Sequence, residues 1–231
     1  NVKCIAVDGT TATLSWSDVS DDDISYFVVE CKQSDGVWKS VSRTSTNLGV
    51  NLSGLTPEHD YVYRVIGYDK RSNRGTPSEE ITVTTLKDTI CPKVTKITPD
   101  PGYFKSEINL RFTAEDDYRV KSIEIQTSTD KESWKTVSEI KATGESAKCT
   151  FDCKLDLKNY EEGSVFVRAK VYDSYGNVTE DKDLTCYEYV VDRTAPIQPT
   201  GVTASSGETE GGSSFVNISW NAITDDNSFA Y

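Results

Sequence analysis

The chain has 231 residues, 36% of them hydrophobic, which suits folded β-modules of roughly 100 residues each and is inconsistent with a disordered tail. Its 25 basic and 37 acidic residues leave a net charge of -12, a field that repels phosphate backbones and anionic lipid, so nucleic-acid binding is not expected. The longest apolar runs, such as Tyr26 to Val29 and Val165 to Val167, are far shorter than the roughly 20 residues that span a bilayer, and no membrane insertion is expected.

In chain order, period-two runs rich in β-branched and aromatic residues predict strands at Ala12 to Trp16, Tyr26 to Cys31, Val62 to Gly67 and Ile81 to Thr85. The intervals Gln33 to Gly36, Asn51 to Pro57 and Asp69 to Pro77 carry Gly, Pro, Asn and Asp and read as turns. The hairpin of Ile24, Phe27, Val29 and Trp38-Lys39-Ser40-Val41-Ser42 then recurs as Val120, Ile123, Ile125 and Trp134-Lys135-Thr136-Val137-Ser138. Further on, Leu14-Ser15-Trp16 recurs as Ile218-Ser219-Trp220, and in that register Phe27 falls on Tyr231. Asp88 to Pro92 and Asp192 to Pro196 mark equivalent junctions, where proline ends one strand and sets the start of the next. No sustained helical stripe is present. The pattern predicts an all-β chain of tandem antiparallel β-sandwiches at residues 1–89, 90–193 and 194–231, the last unit incomplete, and helix nearly absent. The chain neither begins with methionine nor contains one, and reads as a piece of a longer protein.

These residues carry a resemblance. The first unit resembles the fibronectin type III family: Trp16 stands where that family keeps a core tryptophan, and Leu55-Thr56-Pro57 leading to Tyr61 is similar to its Leu-x-Pro turn and tyrosine corner. The third unit resembles the same family through Trp220 and Tyr231. The middle unit has Phe112 in place of the tryptophan and lacks the turn, and is similar to the immunoglobulin-like modules of bacterial surface proteins. The resemblance implies structural roles for Trp16, Tyr61, Trp220 and Tyr231.

An acidic cluster precedes the third strand of each unit: Asp21-Asp22-Asp23, Glu115-Asp116-Asp117 and Asp225-Asp226-Asn227. In a sandwich of this type the incoming linker passes the loop between the second and third strands. Asp88 is therefore placed to approach Asp116 and Asp117, and Asp192 to approach Asp225 and Asp226. Clustered carboxylates suit Ca²⁺, a hard ion that takes oxygen ligands. The competing reading is that these side chains only make turns with nearby backbone. No other cofactor is expected.

Trp38 and Trp134 are candidate sugar-stacking platforms, with cross-strand packing as the competing role. The basic loop containing Arg71 and Arg74 is a candidate protein-binding patch, with a solvated turn as its alternative. Among the six cysteines, Cys91 and Cys186 are the candidate disulfide, because both are expected near one pole of the middle unit. Cys4 and Cys31 could bridge or remain reduced, and Cys149 and Cys153, on one strand, lie too far apart. His59 sits in an exposed turn, no nucleophile elbow, phosphate loop or zinc-protease motif is present, and no enzymatic activity is expected. The expected role is a non-catalytic spacer or stalk segment of a large extracellular or cell-surface protein, bacterial on the middle unit's resemblance, whose partners are the neighbouring modules. The alternatives are an adhesion module for glycan or protein, and a subunit assembled by strand exchange.

Overall fold

Ala12, Leu14 and Trp16 are buried and Thr13 and Ser15 between them are half-buried, the alternation of a strand with one face in a core. These residues are β2 (Ala12–Trp16), hydrogen-bonded between β1 (Val2–Val7) and β5 (Gly49–Leu52). The structure, a computed structural model, describes residues 1–17, 22–45 and 47–222. A second sheet has the order β4 (Trp38–Thr44), β3 (Ile24–Lys32), β6 (Asp60–Asp69), β7 (Ile81–Thr84). Leu14, Trp16 and Leu52 of the first sheet share one core with Phe27, Val29, Tyr63, Val65 and Val83 of the second. The result is an antiparallel sandwich of three strands on four.

The middle group consists of β8 (Lys93–Thr98), β9 (Tyr103–Phe104), β10 (Glu107–Ser128), β11 (Lys135–Asp156), β12 (Gly163–Asp173) and β13 (Tyr187–Val191). β10 and β11 are each 22 residues long, where the sequence pattern suggested short strands with the acidic cluster in a loop. Glu107 to Ser128 contains no proline or glycine to stop the strand, so the chain runs through the acidic cluster as a register shift between Glu115 and Val120. Before the shift β10 pairs with β8, and after it with β12. Its two halves thus serve both layers around one core, with Ile108, Leu110 and Phe112 from one and Ile123 and Ile125 from the other. One parallel pair, β13 with β9, joins the otherwise antiparallel ladders. Among the described residues the helical content is a single 3-10 turn, Asp181–Asp183.

β14 (Thr203–Glu208) and β15 (Ser214–Ser219) form a separate two-stranded ladder that leaves Phe215, Val216 and Ile218 exposed. Tyr231, Asp225 and Asp226 lie outside the described residues. Among the described residues no sheet combines strands from two of these three groups.

Ser17 N–H donates to the Asn1 carbonyl and Leu86 N–H to that of Asp8, so the chain comes into the first sandwich at one end of β1 and leaves it at the other. In the middle group Lys93 pairs with Glu115, whereas Asp192 N–H donates to the Phe104 carbonyl, and Phe104 lies just before the start of β10. Arrival and departure are again at opposite ends.

Candidate functional site

The junction between the first two groups is assembled from turns. Asp8 Oδ1 accepts the N–H groups of Thr10 at 2.9 Å and Thr11 at 2.6 Å, and its Oδ2 accepts the Thr11 hydroxyl at 2.8 Å, which shapes the turn between β1 and β2. That turn presents Thr10, whose hydroxyl donates across the junction to Asp117 Oδ2 at 2.8 Å. Gly9 lets the linker lie against the turn, because a Cβ there would come 3.0 Å from Asp88 Cα.

The middle group supplies the opposing loop. Asp173 Oδ1 accepts the N–H groups of Tyr175 and Asn177, both at 2.8 Å, and its Oδ2 accepts Asn177 Nδ2 at 2.6 Å. The loop so fixed reaches back twice: Asn177 Nδ2 donates to the Asp88 carbonyl at 3.2 Å, and the Tyr175 hydroxyl donates to the Pro57 carbonyl at 3.2 Å.

Three carboxylates meet inside this frame. One oxygen each from Asp88, Asp116 and Asp117 lies within 4.8 Å of the other two. Asp88 is 1% exposed; its Oδ1 accepts Ile90 N–H at 2.9 Å, while its Oδ2 is buried and has no hydrogen-bond partner. Asp116 repeats the arrangement, with Oδ2 accepting the N–H groups of Tyr118 and Arg119 at 3.3 and 3.1 Å and Oδ1 buried without a partner. Asp117 is the exposed member. Burial pushes the Asp116 carboxyl up to about 6 against the lowering effect of the Tyr118 N–H, and the charges of Asp117, Asp88 and Asp173 push the same way as burial. Burial likewise raises Asp88, with the Ile90 N–H opposing and Asp117, Asp173 and Asp8 adding to the rise. The arrangement gathers negative charge around two buried oxygens that no protein donor reaches, and it suits a bound cation.

At the equivalent second junction, Asp192 is half-buried and its Oδ1 accepts Thr194 N–H at 3.1 Å; its expected partners Asp225 and Asp226 lie outside the described residues.

The first sandwich carries the features that set its kinship. Trp16 is 7% exposed and packs edge-on against Phe27 with centroids 5.6 Å apart, and the Tyr61 hydroxyl accepts Thr56 N–H at 2.8 Å, tying the strand to the turn that precedes it. Residues 1–84 match the fibronectin type III domain family. No curated protein matches the chain. Among solved structures, the chain is similar to the fibronectin type III domain of human fibronectin type III domain containing protein 3, at 26% identity over 38% of this chain and 83% of that one, TM-score 0.34. It is also similar to the FN1–FN3 domains of chicken CNTN1, at 17% identity over 97% of this chain and 75% of that one, TM-score 0.42. The fibronectin(III)-like modules of Clostridium thermocellum CbhA match at 16% identity over 83% of this chain and 94% of that one, TM-score 0.31.

Within the first sandwich, Trp38 carries the Arg64 guanidinium 4.0 Å from its ring centroid and Lys32 at 5.5 Å. Arg64 is held by Glu30 at 2.6 Å. The middle group repeats the device: Arg168 lies 4.0 Å from the Trp134 ring centroid and donates to Gln126 at 2.8 Å, and Trp134 Nε1 donates to the Lys131 carbonyl at 3.0 Å. A sugar stacking on either covered face must displace a guanidinium. Arg74 also reaches Glu30, at 3.5 Å, whereas Arg71 is exposed and contributes its N–H to Asp69 Oδ1 at 2.8 Å. Trp220 is 57% exposed beside the 203–219 ladder.

The expected Cys91–Cys186 disulfide is absent, and both thiols are free. Cys91 lies at the junction end, where Asp173 and Glu180 act on it, but β13 begins opposite Val167, and Cys186 sits among Lys131, Arg168 and Glu188. Arg168 to Asp173 is roughly 17 Å of strand at about 3.3 Å per residue, far beyond disulfide reach. Cys4, Cys31, Cys149 and Cys153 are free as well. His59 stands edge-on to Tyr61 with centroids 4.8 Å apart, and its N–H donates to the Thr85 hydroxyl at 2.9 Å. Among the described residues no helix is long and apolar enough to cross a membrane.

Sequence reasoning gave no joining role to Thr10, Tyr175 and Asn177, which link the two groups, and no covering role to Arg64 and Arg168, which lie over the tryptophans. One signal was available for the loop: Asp69 and Asn73 repeat the bonding of Asp173 and Asn177, with Asp69 accepting from Asn73 N–H at 2.8 Å and Nδ2 at 2.7 Å.

Proposed function

We infer that the chain is a non-catalytic spacer segment of a larger extracellular multidomain protein, built from modules at residues 1–89, 90–193 and 194–231. The observation that carries this reading is the path of the chain. It arrives and departs at opposite ends of both complete sandwiches, and the short linker between them is clasped by the Thr10–Asp117, Asn177–Asp88 and Tyr175–Pro57 hydrogen bonds. Modules so joined add their lengths, at roughly 35 to 40 Å each from strand length plus loops. The resemblance of the middle unit to bacterial surface modules supports a bacterial, cell-surface setting.

Small-angle scattering from the whole chain tests the reading. Two sandwiches in line give a maximum dimension of at least about 75 Å. A radius of gyration near the roughly 17 Å of a compact body of this length would show that the modules fold back on one another, and the spacer reading would be lost.

A further inference from the structure

We propose that Asp88, Asp116 and Asp117 form a Ca²⁺ site that bridges the first two modules. The inference rests on the spacer reading for the purpose of the site, but not for its existence.

The neighbouring aspartates set the standard of comparison. Asp8 and Asp173 surround the same junction, and both use their two carboxylate oxygens in turn hydrogen bonds. Asp88 and Asp116 depart from this pattern: each has one oxygen in a turn and the other buried with no donor. Turn formation therefore accounts for half of each carboxylate and leaves the other half unexplained. A buried, unpartnered carboxylate oxygen is costly, and like charges around it add to the cost.

Among the described residues no protein cation offsets that charge, and no ion pair involves Asp88, Asp116 or Asp117. The adjacent Arg119 is engaged with Glu145 at 2.9 Å and with the Tyr118 ring at 4.6 Å. A metal cation satisfies both requirements, since it neutralises the carboxylates and accepts the lone pairs that no N–H group reaches.

The donor set selects the ion. Every ligand atom is a carboxylate oxygen, which favours hard cations over zinc or copper, whose sites draw on Cys or His. Opposite ligands of a bound Ca²⁺ stand about 5 Å apart, twice its 2.3–2.6 Å bond, and the three oxygens lie within 4.8 Å of one another. Ca²⁺ tolerates irregular coordination and completes its shell with water, whereas Mg²⁺ demands a near-ideal octahedron. Asp88 and Asp116 cannot readily rearrange to supply one, because the second oxygen of each is pinned by backbone N–H groups. Asp88 stands on the linker, and Asp116 and Asp117 stand in the register shift of β10, so one ion ties the departing strand of one module to the body of the next.

The test titrates the whole chain with CaCl₂ after EDTA treatment, using calorimetry for binding and thermal unfolding for stability. MgCl₂ is the competitor, and D88N, D116N and the surface control D152N are run in parallel. The expected result is saturable binding that raises the unfolding temperature by about 5–10 °C at a calcium level a hundredfold above Kd. D88N and D116N each weaken binding at least about 10-fold, because they remove ligand charge, while D152N leaves it unchanged. In EDTA both junction variants are at least as stable as the parent chain, since they relieve buried charge, so loss of binding cannot be mistaken for failure to fold. No heat and no shift at 10 mM CaCl₂, or a response that D116N leaves intact, overturns the proposal. Scattering on the same samples keeps the two readings apart: an extended chain indifferent to calcium loses only the site, and a compact chain that binds calcium loses only the spacer.

Discussion

Asn177 joins the two modules through one amide: its Nδ2 donates to the Asp88 carbonyl of the linker at 3.2 Å and to Asp173 Oδ2 within its own loop at 2.6 Å. The side chain that closes the loop is thus the one that grips the neighbouring linker. Asn177→Ala is expected to cost about 1–2 kcal/mol in chemical denaturation, because it removes two part-buried hydrogen bonds. It should also loosen the junction, seen as a broader distribution of dimensions in scattering. An unchanged unfolding midpoint would show that the contact contributes nothing.

Gly9 is the steric counterpart. A Cβ at this position would stand 3.0 Å from Asp88 Cα, 3.2 Å from Asp88 N and 3.3 Å from the Lys87 carbonyl, all backbone atoms that cannot swing aside. Gly9→Ala should therefore push the linker off the turn at a cost of about 1–3 kcal/mol, as overpacking does. Amide exchange at Leu86, whose N–H donates to the Asp8 carbonyl, is expected to speed up with it.

Tyr61→Phe removes the acceptor of Thr56 N–H and leaves the ring in place. The expected loss is about 1 kcal/mol, in the unfolding of the first sandwich alone. A change in the transition of the middle module would mean that the two sandwiches do not unfold independently.

Arg64→Ala and Arg168→Ala separate the two readings of the tryptophans. As packing elements, Trp38 and Trp134 should show red-shifted emission once their covers are gone, with a stability loss of about 0.5–1 kcal/mol for each cation–π contact. As sugar platforms they should instead gain glycan affinity when uncovered. Glycan-array binding that appears in the variants and is weak in the parent would favour the adhesion alternative.

Tyr189 gives the pH dependence. It is fully buried, its hydroxyl donates to the Pro99 carbonyl at 2.9 Å, and burial pushes its pKa up to about 12. An unfolded tyrosine ionises near 10, so the neutral phenol favours the folded state. That contribution is complete below about pH 10 and disappears as the pH rises toward 12. The middle module should lose thermal stability across this window. Spectrophotometric titration should show Tyr189 ionising well above the ordinary tyrosine value near 10, and burial raises Tyr63 as well.

Much of this was legible in the sequence, because strand periodicity is local. Ala12, Leu14 and Trp16 alternate into a core for the same reason that they alternate in the sequence, and the shared hairpin put Phe27 and Val29 in register with the buried Ile123 and Ile125. The convergence of Asp88 with Asp116 and Asp117 was also readable, since a linker that leads into a first strand must pass the segment between the second and third. The 22-residue β10 was not legible, because turn-forming acidic residues end a strand only when the chain has no neighbour to keep pairing with, and β11 continues alongside on both sides of the shift.

What the sequence determined by itself is the class of fold, the core faces and the corner tyrosine, all set by interactions within a few residues or by a strict period of two. Only the tertiary structure decided which side chains meet across modules. Thr10 with Asp117, Tyr175 with Pro57 and Arg64 over Trp38 are each paired by register and loop length rather than by pattern. The same reason separates Cys91 from Cys186: the connection after β12 runs along the sheet before β13 begins, and that displacement is fixed by where the strands pair, not by which residues stand beside the cysteines.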